Sequence, residues 1–563
     1  MELDEALEAA KPLGRTQLMI LLASMLMNME SGFSVLSNVF LAKTPPYHCA
    51  NHSGFSLEES VPFIDGSYST CEVYSDPVHS NDTQPCNMWY FDTEKAGKSV
   101  VSDWDLVCAR DFLPGVGQSL ILAGFAVGSI LGGPVADKYG KKPTLLISLV
   151  IFNAVGLSVS LSQGFIAFGI LRFLMGTIFK AVRIPLINLM FEYLVPRYRS
   201  LVGILPFIMG SVGLVIMSGI AYLVRDWRYL NIVLMTPTLS MMIFSWLLPE
   251  SIRWSLSRGY IKKAEETMQK VAAFNKAKDF PLVVFDDQHP KQEGNSSENV
   301  SDDESQENCK SKSLEGFRFI AQLFQPPTLT VSLVLSWAWL TCTLVYFGFA
   351  LTTGSLAGDP YLNFCLSSLV DIPAALVSLF LIKKIGSLVP LIAGLVLAAV
   401  LMILIIILPF AIVDKDVLSG LLTTLALMGR FSITLTIPPM FLLMSDLFPT
   451  PIRNSGTSLV QLIGNIGSLS APLVIYMNKF FANLAFLVMV LCALLAAGLA
   501  LLLPDTLNTK QLETVDDLKV LFATKTIFSR RKNEKEDAET DSSSFDKHDT
   551  TEMRESCADE GYV

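Results

Sequence analysis

Apolar runs recur from Leu18 to Leu503, each close to the roughly 20 residues a helix needs to cross a bilayer. They are continuously apolar rather than alternating, which argues against a transmembrane β-barrel. Taken in order they predict spans at 16–40, 115–136, 143–161, 164–195, 201–223 and 230–248. After an interval come 328–352, 361–383, 387–411, 418–446, 454–476 and 481–503. Two polar inserts break the rhythm, at 41–114 and 249–327. The second opens with Ile261-Lys-Lys-Ala-Glu-Glu-Thr-Met-Gln-Lys-Val, an amphipathic helix with Ile261, Ala264, Met268 and Val271 on one face. The expected organisation is a terminus (1–15), a first helical unit (16–248, including 41–114), a linker (249–327), a second unit (328–503) and a tail (504–563). Ser-rich acidic stretches in the linker and the tail read as disordered.

Composition agrees: the chain has 563 residues, 51% hydrophobic and only 17% charged, with a mean hydropathy of +0.47. Soluble domains run nearer a quarter charged, so a soluble enzyme and a single-anchor receptor are disfavoured. The net charge of −10 is concentrated. Residues 286–310 carry eight acids and two bases, and residues 504–563 fifteen acids and nine bases. Nothing in it points to nucleic acid.

Short-loop bases set the expected orientation. Lys138, Lys141, Lys142, Arg197, Arg199, Lys383, Lys384 and Arg453 lie on one side, against Arg225, Arg228, Lys415 and Lys479 on the other. Both termini are therefore expected in the cytoplasm and 41–114 outside. That insert holds Cys49, Cys71, Cys86 and Cys108, an even set consistent with two disulfides in any of three pairings. It also holds sequons at Asn51 and Asn81. Sequons at Asn295 and Asn299 fall on the cytoplasmic side and should be unused. The acidic N-terminus does not resemble a cleavable signal peptide, so the first span is expected to act as signal and anchor.

Candidate chemistry is ionic rather than catalytic. Five histidines with no metal spacing, no nucleophile elbow and no Gly-x4-Gly-Lys-[Ser/Thr] loop argue against an enzyme, a metal centre, a cofactor or an ATP-driven pump. Charges inside apolar spans are costly and mark function by default. Here they are Glu30, Arg172, Lys180, Arg183, Asp371 and Arg430, with Glu192 and Asp446 near span ends. Mutual pairing, as of Arg430 with Asp371, is the structural alternative. Lys180 and Arg183 are three residues apart and share a helix face. Trp337, Trp339 and Tyr346 form an aromatic stripe that either lines a cavity or packs as core. Asn38 and Phe40 on the first span are weaker candidates. Pro438-Pro439 should kink the tenth span.

The loop after the second span reads Gly132-Gly-Pro-Val-Ala-Asp-Lys-Tyr-Gly-Lys-Lys-Pro143. It resembles the signature loop of the major facilitator superfamily; Lys383-Lys-Ile-Gly386 is a degenerate counterpart. Further runs narrow the resemblance: Ser102-Asp-Trp-Asp-Leu-Val-Cys108, Arg225-Asp-Trp-Arg-Tyr-Leu230, Pro249-Glu-Ser-Ile-Arg-Trp254, Asp446-Leu-Phe-Pro-Thr-Pro-Ile-Arg453 and Pro504-Asp-Thr506. With the large cysteine-containing loop they look like solute carrier family 22, over essentially residues 10–520, although members commonly carry six cysteines there. The resemblance implies an all-α membrane protein of twelve helices in two pseudo-symmetric six-helix bundles, moving small organic ions by alternating access. It also implies a gating set at the cytoplasmic ends: Gly133, Asp137, Lys138, Gly140, Lys141, Lys142, Glu192, Glu250, Arg253, Asp446 and Arg453.

Substrate charge is less direct. Members that move cations typically carry Asp, and those that move anions Arg, at the position of Asn465. Lys180, Arg430, Trp339 and Tyr346 match the cation pattern, Asp371 is closer to the anion branch, and Arg183 replaces a Trp. Four midplane bases against Glu30 and Asp371 favour an anion or a zwitterion. The expected substrate contacts are Lys180, Arg183, Trp339, Tyr346, Asp371, Arg430, Asn465 and Glu30. The expected setting is the lipid bilayer of the plasma membrane, with a counter-ion or an exchanged organic anion as partner. A cation transporter and a non-transporting receptor are the alternatives.

Overall fold

The computed structural model describes residues 3–51, 55–64, 66–76, 82–195, 198, 205–277, 280–281, 325–352, 359–412, 414–449, 452–481, 483–506, 512 and 515–525. Asn81, Arg197, Arg199, Asn295, Asn299, the acidic linker stretch 286–310 and residues 526–563 of the tail lie outside them; the first part of the tail, expected to be disordered, instead holds a helix at Val515–Lys525. Among the described residues, eleven helices are long and apolar enough to cross a membrane, and the 17-residue Leu484–Ala500 is a shorter apolar helix in the twelfth position.

A short helix, α1 (Leu3–Ala9), precedes the first unit. That unit comprises α2 (Arg15–Leu36, continued by a turn at Asn38–Leu41), α3 (Leu113–Tyr139), α4 (Lys141–Ser160), α5 (Phe165–Tyr193), α6 (Leu205–Leu223) and α7 (Trp227–Leu247). Two connecting helices follow, α8 (Ile252–Ser257) and α9 (Ile261–Phe274). The second unit is α10 (Thr328–Thr352), α11 (Pro360–Ile385), α12 (Leu388–Ala411), α13 (Lys415–Leu447), α14 (Arg453–Tyr476) and α15 (Leu484–Ala500); α16 (Val515–Lys525) ends the description. Span ends depart from the sequence reading by a few residues. Asp226, Asp359 and Asp414 accept hydrogen bonds from the first backbone N–H groups of α7, α11 and α13, which fixes where those helices start.

The units repeat one packing pattern. In the first, α2 packs on α6, α3 on α5 and α4 on α7; in the second, α10 packs on α14, α11 on α13 and α12 on α15. Each has its own apolar core. Close approach is bought by glycine. A Cβ on Gly124 would lie 2.2 Å from the Phe173 carbonyl oxygen, and one on Gly467 2.1 Å from that of Leu340. The degenerate loop after the eighth span keeps the geometry of the loop after the second. Both helices end at a glycine of positive φ, +100° at Gly140 and +83° at Gly386.

Pro438 and Pro439 lie inside the continuous α13. A proline at 439 cannot donate to the Leu435 carbonyl. Ser378 of α11 donates its hydroxyl to that oxygen at 2.8 Å, so the lost helix bond is replaced between helices.

Helix α9 docks as its amphipathic pattern predicts. Ala264, Met268 and Val271 of α9 are buried in the same core as Ala6, Leu7 and Ala10, while Ile261 is half-buried. Asn275 brackets this contact. Its side chain accepts from Thr16 N–H at 2.8 Å and donates to the Ala10 carbonyl at 2.8 Å and to Gln17 at 3.0 Å.

The 41–114 insert is three two-stranded ribbons: β1 (Tyr47–Cys49) with β6 (Trp89–Phe91), β2 (Phe63–Ile64) with β3 (Ser67–Tyr68), and β4 (Glu72–Tyr74) with β5 (Thr83–Pro85). Of the three pairings left open, Cys49–Cys86 and Cys71–Cys108 form. Asn51 is exposed.

Gly124→Val should cost about 1–3 kcal/mol through overpacking, read as a lower thermal midpoint in detergent. Gly219→Ala, whose Cβ would meet nothing within 4 Å, should leave the midpoint unchanged.

Candidate functional site

The intramembrane charges divide unequally between the units. In the second, Arg430 and Asp371 face each other across α13 and α11, with side chains only 2% and 1% exposed. Arg430 donates through Nε to Oδ1 at 3.0 Å and through a terminal nitrogen to Oδ2 at 2.8 Å. Thr434 donates to Oδ1 at 2.7 Å and the Tyr346 hydroxyl to Oδ2 at 3.3 Å. The guanidinium lies 3.9 Å from the Tyr346 ring centroid. Such a bidentate, hydrogen-bonded pair offsets the cost of burying both ions. The pairing considered from the sequence is thus the observed arrangement. Asp371, Arg430 and Tyr346 form one internally satisfied cluster.

The first unit has no such closure. Glu30 is buried and accepts from Ser34 at 2.9 Å, and its second oxygen has no partner among the described residues. Arg172 is fully buried, donates to Ser37 at 3.1 Å and leaves two nitrogens unpartnered. Arg183 donates to Asn28 of α2 at 3.2 Å. The Lys180 ammonium sits 5.3 Å from the Phe125 ring centroid on α3. Lys180 and Arg183 are both half-buried, and no acidic partner is found for either among the described residues. Their shared face on α5 is as the spacing predicts.

Trp339 packs edge-on against Phe441 at 4.9 Å, and its indole covers Gly464, where a Cβ would lie 1.8 Å from a ring carbon. Asn465 follows, half-buried on α14. Trp337 is half-buried with its indole nitrogen unpartnered. Asn28 and Thr434 were not singled out by the sequence; Asn28 stands two residues before Glu30, and Thr434 is the middle of the alternating Ser432-Ile-Thr434-Leu-Thr436, whose proximity to Arg430 is the signal that could have found it.

The gating residues assemble inside the first unit. Glu250 accepts backbone N–H bonds from Lys141 at 3.0 Å, Lys142 at 3.2 Å and Ser251 at 2.9 Å, at the start of α4. The Lys141 ammonium pairs with Glu192, whose other oxygen accepts from Ser251 at 2.5 Å. Lys142 donates to the Trp246 carbonyl at 2.8 Å, and the Lys138 ammonium lies 5.2 Å from the Tyr139 ring centroid. Asp137 takes part through its backbone carbonyl, which accepts from Trp254 and Arg258 at 2.8 Å each. Gly133 is open around its Cα and Gly140 abuts Glu250; Arg253 is exposed on α8. At the matching end of the second unit, Asp446 hydrogen-bonds Thr506 and faces Arg453, and Arg453 donates to the Phe448 carbonyl at 3.2 Å.

At the opposite end the units meet. Asp111 accepts from Tyr476 at 3.1 Å and pairs with Lys479, Ser119 donates to the Leu469 carbonyl at 3.0 Å, and Phe40 packs on Tyr361 and Phe364. The molecule is closed at the end that carries the disulfide insert.

Two six-helix units of one packing pattern, with buried charges along their inner helices, define a secondary transporter of the major facilitator fold rather than an enzyme. A family model described as "Sugar (and other) transporter" matches residues 71–518. The "Organic cation transporter-like protein" of Drosophila melanogaster is 30% identical, covering 92% of each chain. "Organic anion transporter 3" of Sus scrofa is 30% identical over 86% of this chain and 87% of its own. "Solute carrier family 22 member 13" of Homo sapiens is 29% identical over 90% and 91%. Among solved structures, the proton:xylose symporter XylE superimposes with a TM-score of 0.57 at 16% identity, over 90% of this chain and 99% of that one. The chain belongs to the sugar (and other) transporter family and, within the major facilitator superfamily, to solute carrier family 22, the secondary transporters of small organic ions.

Breaking the buried pair with Arg430→Met should cost about 3–5 kcal/mol, because Asp371 is left uncompensated. The double variant Asp371→Leu/Arg430→Met should regain most of that, measured by thermal unfolding in detergent. Equal loss in single and double variants would contradict a mutual pair.

Proposed function

We propose that the protein carries organic anions, or the anionic end of zwitterions, across the plasma membrane, with both termini in the cytoplasm and the disulfide insert outside. One observation carries the reading. Asp371 is committed to Arg430, while Lys180 and Arg183 have no acidic partner among the described residues. A half-buried base pair without a counter-charge is stabilised by a ligand that brings one. A carboxylate or sulfate between Lys180 and Arg183 fits that need. Trp339 meets the ligand's apolar body, and Asn465 offers a neutral hydrogen-bonding group where a fixed charge would select by sign. Tyr346 supports the site through the Asp371–Arg430 cluster. Glu30, whose second oxygen is unpartnered, receives the positive group of a zwitterion. The cation alternative rests on Glu30 and on relatives named for cation transport.

The Lys141–Glu192–Ser251–Glu250 network stiffens the cytoplasmic end of the first unit, so that it moves as one body during alternating access. A counter-ion or an exchanged organic anion balances the charge moved.

The test is initial-rate uptake of an organic cation, an aromatic carboxylate, a steroid sulfate and carnitine, each at two membrane potentials. Carboxylate or sulfate uptake, stimulated by preloaded anion, is expected. Arg183→Ala and Lys180→Ala should each lower it on the order of 10- to 100-fold at equal surface expression, the loss of one charge-assisted contact of about 1.5–3 kcal/mol. Uptake of the cation alone would overturn the reading.

A further inference from the structure

Tyr361, in the first turn of α11, is held almost entirely by the other unit. Its ring lies flat on Phe40, with centroids 5.3 Å apart and planes within 4°. The Lys43 ammonium caps the ring, 4.8 Å from its centroid. Tyr222 meets it edge-on at 5.8 Å. The space left beside it is about 10 Å³, room for roughly one water. Three bases line that space, Lys43, Lys98 and Arg225, and among the described residues no carboxylate does.

The acid that acts on this cluster comes from α11. Burial pushes the Lys43 pKa below its ordinary value, Asp359 opposes that and Arg225 adds to it. Asp359 also accepts the backbone N–H groups of Tyr361 and Leu362, at 2.8 and 3.4 Å. Tyr361 thus lies against a ring and a base of the first unit, and the negative charge of Asp359, two residues before it, acts on that base. Tyr361 and Asp359 together have the chemistry of an aromatic carboxylate.

We infer that the outer face of the first unit carries a second recognition subsite, for an aromatic carboxylate, and that Tyr361 with Asp359 fills it while the outer side is shut. The inference rests on the anion reading above. When the units part at this end, Tyr361 and Asp359 leave together on α11. Phe40 and Lys43 stay on the first unit, uncovered. Lys98 and Arg225 are exposed at the same mouth, so the uncovered surface attracts anions. A ligand whose ring stacks on Phe40 beneath the Lys43 ammonium replaces the lost ring contacts, and its carboxylate supplies the negative charge that Asp359 takes away. It then lies on the path to Lys180 and Arg183, and the subsite prefers aromatic to aliphatic anions before the main site is reached.

The experiment is the concentration dependence of uptake from outside and of efflux from preloaded cells, normalised to surface protein. The probes are a labelled aromatic carboxylate and an aliphatic carboxylate of equal charge. Lys43→Gln should raise the external KM threefold to tenfold for both. Phe40→Leu should raise it for the aromatic probe only. Tyr361→Ala, which removes the internal occupant, should lower the external KM. Lys43→Arg should retain the wild-type value, and half-saturation from inside should be unchanged in Lys43→Gln and Phe40→Leu. Carboxylate uptake by the wild type with an unchanged external KM in Lys43→Gln and Phe40→Leu overturns this inference alone. Wild-type uptake of the cation and of no carboxylate overturns the anion reading and the subsite together.

Discussion

A charge enclosed by apolar helices has to be met by an opposite charge, by hydrogen bonds or by a ligand, because the surroundings cannot solvate it. The Arg430–Asp371 pair meets that demand inside the protein, with Thr434 and Tyr346 taking up the remaining valences. The first unit leaves it partly unmet. Arg172 makes one side-chain bond, to Ser37 at the end of α2, and Glu30 one within α2, from Ser34; both keep unpartnered atoms, and Arg183 rests on a neutral amide. Two units with the same helix packing therefore differ in electrostatic completeness. One supplies a finished wall and the other a face whose charges are left partly unpartnered.

The same asymmetry appears at the ends of the molecule. The network around Glu250 and Glu192 closes within the first unit. Bonds between the units gather at the disulfide insert, through Asp111, Ser119 and Phe40. That insert is itself fastened to the first unit, since Asp103 accepts from the Trp227 indole at 2.9 Å and pairs with Arg228. It travels with that unit and touches the other at its edge.

Much of this was legible in the chain. Continuous apolar runs fix the spans, because a bilayer demands about the same helix length each time. The i, i+4, i+7 pattern of Ala264, Met268 and Val271 marked α9 in advance. Lys180 and Arg183 were placed on one face by spacing alone. What spacing cannot carry is a contact between distant segments. The observed cysteine connectivity was one of three equal on paper, and the meeting of Phe40 with Tyr361 joins residues in different units. Asp371 is the instructive case: the sequence offered it as a ligand contact and as a partner of Arg430, and geometry across two helices was needed to separate the two roles. Asp137 belongs to the expected gating set, and the bonds it makes there run through its backbone carbonyl, which any residue would supply.

Asn275 has a consequence for how the chain is made. Its amide supplies the bonds that the start of α2 lacks, from a position 259 residues beyond Thr16. A helix start has several N–H groups without partners, and here one of them waits for a residue that leaves the ribosome only after all six helices of the first unit. Until then the amino-terminal segment has no bracket to hold it. Its locking onto α9 marks the moment at which the first unit is complete, before any helix of the second has been synthesised.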